Sequence, residues 1–103
     1  MENAFAKMTN HAYLRSKERI GLPKSAIERD ANRALECGLK HSDTTGSLKK
    51  YMDSLYFTEK KSNNTRIWNG NVYLFHNNTL ITVLPLPQKY RKIAIERAKK
   101  KMN

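Results

Sequence analysis

Between Thr65 and Leu84 short runs of aliphatic, aromatic and hydroxyl side chains, bounded by Asn-rich dipeptides, form the pattern of strands rather than helices. The runs break at Asn69-Gly70 and at Asn77-Asn78, dipeptides that tolerate the positive φ angles of a two-residue type I′ hairpin. Three antiparallel strands follow. With those turns the register aligns Ile67, Val72 and Val83, and sets Leu74 beside Ile81, giving one aliphatic face. The opposite face aligns Arg66, Tyr73 and Thr82 and also carries Trp68, Phe75, Leu80 and Leu84.

Elsewhere the apolar positions recur at helical spacing. Thr9 or Asn10 is placed to cap a helix over His11 to Ile20, stopped by Gly21 and Pro23. Ser25 and Glu28 have the spacing of a capping box, opening a second helix with Ile27, Ala31, Ala34 and Leu35 on one stripe and Gly38 at its end. A third helix starts near Ser47 and buries Leu48, Tyr51, Met52, Leu55 and Tyr56. Its last residues, Leu55 to Thr58, have enough β propensity to form an edge strand instead. Pro85 and Pro87 end the third strand, and a final helix carries Tyr90, Ile93, Ala94 and Arg97 into a lysine-rich end. The predicted class is α+β: N-terminal helices, then a three- or four-stranded antiparallel β-meander, then a C-terminal helix. Residues 1–103 read as one domain, with 1–8 and 99–103 as frayed ends. The second and third helices are the expected cover for the aliphatic face, leaving the mixed face open or partly covered by the first helix.

Charge changes this picture from a fold to a class of partner. Lys and Arg number 20 against 9 Asp and Glu, a net charge of +11, which points to polyanions and to nucleic acid first. An acidic protein and an anionic membrane surface are the other candidates. No apolar run reaches transmembrane length and Met1 to Lys7 lacks the apolar centre of a signal peptide, so a cytoplasmic protein without membrane partners is expected. The single Cys37 excludes an internal disulfide and a paired-cysteine zinc motif.

No phosphate loop, HExxH or nucleophile elbow occurs, and His11, His41 and His76 lack metal-ligand spacing; no metal and no cofactor is expected. The mixed face offers Arg66 as a cation for phosphate, Tyr73 as a stacking or proton-shifting phenol and Thr82 as a donor. His11, at a helix start, adds an acid or base that titrates near neutrality. Each has an ordinary use too: Thr82 as a β-former, Tyr73 as packing surface, Arg66 as a covering stem, His11 as an exposed residue. Arg15, Lys17 and Arg19 on the first helix form either an RNA-backbone footprint or a solvated face. Trp68 is a candidate for base stacking or for the core, and Lys89 and Arg91 extend the basic set.

The early His11-Ala12 on a basic helix, followed by the meander Val72-Tyr73-Leu74-Phe75-His76-Asn77-Asn78-Thr79-Leu80-Ile81-Thr82-Val83-Leu84, resembles the barnase, EndoU, colicin and RelE-like (BECR) ribonuclease toxins. The resemblance spans roughly the C-terminal half and the first helix. It implies an antiparallel sheet with its active site on the open face, catalysis without metal, and Thr82, Tyr73, Arg66 and His11 as the catalytic set. It further implies RNA as substrate, free, ribosome-bound or transfer RNA, and an acidic antitoxin as a protein partner, with phage or mobile-element origin as one setting. The alternative function is a non-catalytic nucleic-acid- or ribosome-binding module using the same basic surface.

Overall fold

The computed structural model describes residues 6–59 and 62–102. The chain runs β1 (Lys7–Met8), α1 (Asn10–Ile20), α2 (Lys24–Cys37), β2 (Leu39–Lys40), a 3-10 turn at His41–Asp43, α3 (Gly46–Thr58), β3 (Asn64–Trp68), β4 (Asn71–His76), β5 (Thr79–Pro85) and α4 (Gln88–Met102). The α+β class holds, and the expected meander is β3, β4 and β5. It is extended on both sides to five strands in the order β1-β5-β4-β3-β2. Because β1 lies parallel to β5, the sheet is mixed rather than purely antiparallel. The two added strands are two residues each, too short to show a period in sequence. Lys7 and Met8, expected to fray, are one of them, and Lys99 to Lys101 belong to α4. The remaining expected ends, Met1–Phe5 and Asn103, lie outside the described residues, as do Lys60 and Lys61. Leu55 to Thr58 stay helical: burial of Leu48, Met52 and Leu55 along one stripe outweighs local β propensity.

Helix ends follow mostly from local chemistry. Thr9 accepts from the Ala12 N–H at 3.1 Å, and Gly21 takes the left-handed φ of 69° that closes α1 on the Lys17 carbonyl. The capping box at Ser25 does not form. Instead α2 begins two residues earlier, at Lys24 with Pro23 in the capping position, whose ring presets φ at −68°. Gly38 ends α2 by proximity rather than by conformation: a Cβ there would stand 2.6 Å from the Ala34 carbonyl oxygen and 3.1 Å from that of Ile67. That absence of a side chain lets α2 run straight into β2 against β3.

The β3–β4 register is the expected one, Ile67 with Val72 and Arg66 with Tyr73, across an Asn69-Gly70 turn with φ of 50° and 77°. At the second turn only Asn77 has positive φ, 55°, so the expected type I′ geometry is not reached. Asn63 and Asn64 hold this turn from outside. The Asn77 N–H donates to Asn63 Oδ1 at 2.7 Å, Asn63 Nδ2 donates to Asn77 Oδ1 at 3.1 Å, and Asn64 Nδ2 donates to the Asn77 carbonyl at 3.3 Å.

A bulge in β5 overturns the expected β4–β5 register. Phe75 pairs with Leu80, but Leu74 pairs with Thr82, Tyr73 with Val83 and Val72 with Leu84, leaving Ile81 as the extra residue. One inserted residue reverses the facing of those beyond it. Leu84 therefore joins Ile67, Val72 and Leu74, and Val83 joins Tyr73, Phe75 and Leu80. Helices cover both faces. The stripes of α3 and α4 (Leu48, Met52, Leu55, Ala94) bury the aliphatic face, and α2 (Ile27, Ala31, Ala34, Leu35), with Tyr13 and Ile20 of α1, buries the face expected to be open. The physical reason is area: Tyr73, Phe75 and Leu80 carry too much apolar surface to leave wet when an amphipathic helix is available.

Candidate nucleic-acid interface

Closure of the mixed face and the bulge in β5 together disperse the residues expected to form a catalytic set. Arg66 and Tyr73 are cross-strand partners as expected. Tyr73 is fully buried beneath α2, and burial together with the nearby Asp30 carboxylate pushes its phenol well above the usual range. Its hydroxyl approaches Asp30 and Asn71 without a well-aligned hydrogen bond to either. Arg66 points at the C-terminus of α2, where it donates to the Leu35 carbonyl at 2.9 Å and the Ala34 carbonyl at 3.5 Å, while its Nε donates to Asn64 Oδ1 at 2.8 Å. Its cation thus neutralises the negative end of a helix dipole. Partial burial lowers the Arg66 pKa, an effect opposed by Asp43 and Tyr56.

Thr82 is paired with Leu74, not Tyr73, and is fully buried; its hydroxyl accepts from Arg19 at 3.1 Å. The same Arg19 pairs with Glu59 at 3.3 Å, joining α1 and β5 to the end of α3. His11 is exposed on α1. Substrate cannot reach Tyr73 or Thr82, so these four side chains do not line one open cleft. Trp68 is half-buried against the α2-side core, which leaves little of its ring for stacking.

The cations divide into anchors and free charges. Arg19 and Arg66 are anchors, and so is the inward side of α4: Arg97 Nε donates to the Asp43 carbonyl at 3.0 Å, and Lys101 reaches Asp43 Oδ2 at 2.8 Å and the Gly38 carbonyl at 3.0 Å. Arg91 Nε donates to the Leu86 carbonyl at 3.3 Å. Lys49 and Lys50 on α3, and Lys89, Lys92, Lys99 and Lys100 on α4, are exposed on the layer that covers the aliphatic face and form no ion pair among the described residues. Arg15 and Lys17 on α1 are likewise unpaired, Arg15 half-buried and Lys17 exposed.

Half-buried aromatics sit among the α3 and α4 lysines. Tyr51 stacks on Tyr90 with ring centroids 4.8 Å apart, and Lys89 Nζ lies 5.1 Å from the Tyr90 centroid. Burial, and to a lesser degree Tyr90, raises the Tyr51 pKa, keeping that phenol neutral at physiological pH. Against the second half of α3, His41 Nε2 meets Asp53 Oδ1 at 2.5 Å while the His41 ring stands edge-on to Tyr56 at 5.9 Å. By sequence alone His41 is a loop residue and Asp53 a solvent-facing one. They lie 12 residues apart in different elements, and only the turn at His41–Asp43 brings them together.

Among the described residues no group of three His, Cys, Asp or Glu side chains is placed to hold a metal ion, and no helix is long and apolar enough to cross a membrane. What the surface offers chemically is dispersed, unpaired positive charge beside aromatic rings. No protein-family model matches the chain, and the searches of curated proteins and of solved structures likewise give no match.

Proposed function

We propose that the chain is a small RNA-binding module that holds the RNA backbone on the outer surface of α3 and α4. The observation that carries this reading is the set Lys49, Lys50, Lys89, Lys92, Lys99 and Lys100, exposed on one layer and without acidic partners among the described residues. A protein that used its charge for stability would pair it. On α4 the cations that face the fold, Arg97 and Lys101, are anchored, while Lys89, Lys92, Lys99 and Lys100 have no acidic partner among the described residues. The half-exposed Tyr51 and Tyr90 rings favour single-stranded RNA, whose bases can stack on aromatic faces beside cations. Metal-independent cleavage has less support, because two members of the expected catalytic set are buried.

Titration of fluorescent single-stranded RNA at several salt concentrations tests the reading. Affinity should fall steeply with salt, and replacing Lys92, Lys99 and Lys100 together by Gln should reduce the log–log slope by about 0.7 for each phosphate no longer neutralised. An unchanged slope in that variant would put the interface elsewhere. Flat salt dependence would remove nucleic acid as the partner and favour an acidic protein. Cutting of RNA in EDTA, leaving 2′,3′-cyclic phosphate ends, would restore the ribonuclease reading.

A further inference from the structure

Outside the lysine surface, a groove of about 320 Å³ lies between α4 and the end of the sheet formed by β2 and β3. Its walls are Leu39, Ile67, Leu86, Ala94 and Ala98. Ala94 and Ala98 stand four apart on α4, so one face of the helix approaches the sheet with methyl groups only and leaves space that larger side chains would fill. Ile95 borders the same space and stays 57% exposed, an apolar rim left in water. The one charged group lining the groove is Arg91, one turn before Ala94 and Ile95. Its Nε is held on the Leu86 carbonyl, and no carboxylate pairs with it among the described residues.

We propose that this groove binds a small amphipathic anion, an apolar body lying along Leu39, Ile67, Leu86, Ala94 and Ala98 with its acidic head on the Arg91 guanidinium. The size fits a small molecule, near the lower end of the roughly 300–1,000 Å³ typical of ligand sites. It is far smaller than the roughly 20–30 residues per side of a stable protein interface. Charge complementarity selects the head: an anion gains the unpaired guanidinium, a cation would meet it and a net charge of +11. None of the six lysines of the proposed RNA surface lines the groove, and the two are read by different probes, so either assignment can fail without the other.

The molecule carries its own reporters, since its single tryptophan, Trp68, and its single cysteine, Cys37, both line this groove. Decanoate, decanol and acetate, compared at constant ionic strength, separate tail from head. Decanoate should shift Trp68 emission saturably and slow alkylation of the exposed Cys37 by iodoacetamide; acetate should do neither. Decanol should bind more weakly, and Arg91→Gln should weaken decanoate by about tenfold while leaving decanol unchanged, as loss of one charge-assisted bond predicts. Ala98→Phe should fill the groove and abolish both responses, with circular dichroism reporting the fold; if that variant unfolds, protection of Cys37 in the unaltered protein decides. The proposal is overturned if decanoate moves neither reporter, if decanol and decanoate bind alike and Arg91→Gln changes nothing, or if the response survives in folded Ala98→Phe. Concentration-dependent dimerisation that itself shields Cys37 would assign the groove to a second copy and overturn it equally.

Discussion

Arg66 and Tyr73 separate a structural from a catalytic role by opposite mutational signatures. The Arg66 guanidinium binds the last carbonyls of α2, so Arg66→Ala should destabilise the fold by about 1–3 kcal/mol, the range for losing a charged hydrogen-bonding group over buried acceptors. Chemical denaturation measures this, and RNA affinity of the folded variant should hardly change. Tyr73 buries a hydroxyl that has no sound partner, so Tyr73→Phe removes an unsatisfied group and keeps the ring. Stability should stay within about 1 kcal/mol or rise. A large loss of function in folded Tyr73→Phe would instead mean that the phenol reaches substrate through a motion of α2.

At the scale of elements, Gly38 and Asp43 fix how α2, β2 and α4 meet. Gly38→Ala would force a methyl against the Ala34 carbonyl, and displacement of α2 from β3 should lower stability by about 1–3 kcal/mol, as overpacking does. Asp43 ties down the last turn of α4. Partial burial alone would raise its pKa, but the bonds from Lys101 and from the Lys40 N–H outweigh it and the net shift is downward. A carboxyl lowered in the folded state contributes stability above its ordinary pKa and loses it as pH falls through the folded value. Below about pH 4, therefore, amides near Lys99 to Lys101 should exchange faster than those of the core, and Asp43→Asn should show that fraying already at neutral pH. The helices were legible because each carries apolar residues at helical spacing, and the three long strands because apolar runs are bounded by Asn69-Gly70 and Asn77-Asn78. The bulge at Ile81 was not: every residue from Leu80 to Leu84 suits either sheet face, so nothing local marks the extra one. Nor was the closed face, since Arg66 reads as solvent-facing until its acceptor at Leu35, 31 residues away in the chain, is known.

For the whole molecule, the charge on which the proposed RNA binding rests also opposes folding. With 20 basic against 9 acidic residues, self-repulsion weakens the compact state at low ionic strength. Moderate salt should therefore raise the thermal midpoint while it weakens RNA binding, and scanning both between dilute and physiological buffer should give slopes of opposite sign. A midpoint indifferent to salt would mean that the free lysines lie too far apart to repel. Both margins of the sheet are two-residue strands, and each carries a lysine, Lys7 on β1 and Lys40 on β2. Short, charged margins deny a neighbouring chain the long row of free amides and carbonyls on which sheets grow from molecule to molecule. β1 pairs with Thr79 and Leu80, the start of the seven-residue β5 that continues through Ile81, Val83 and Leu84. Shortening the chain to begin at Thr9 would strip β1 away, and the truncated protein should aggregate on storage into material that binds amyloid dyes, under conditions where the full chain stays dispersed.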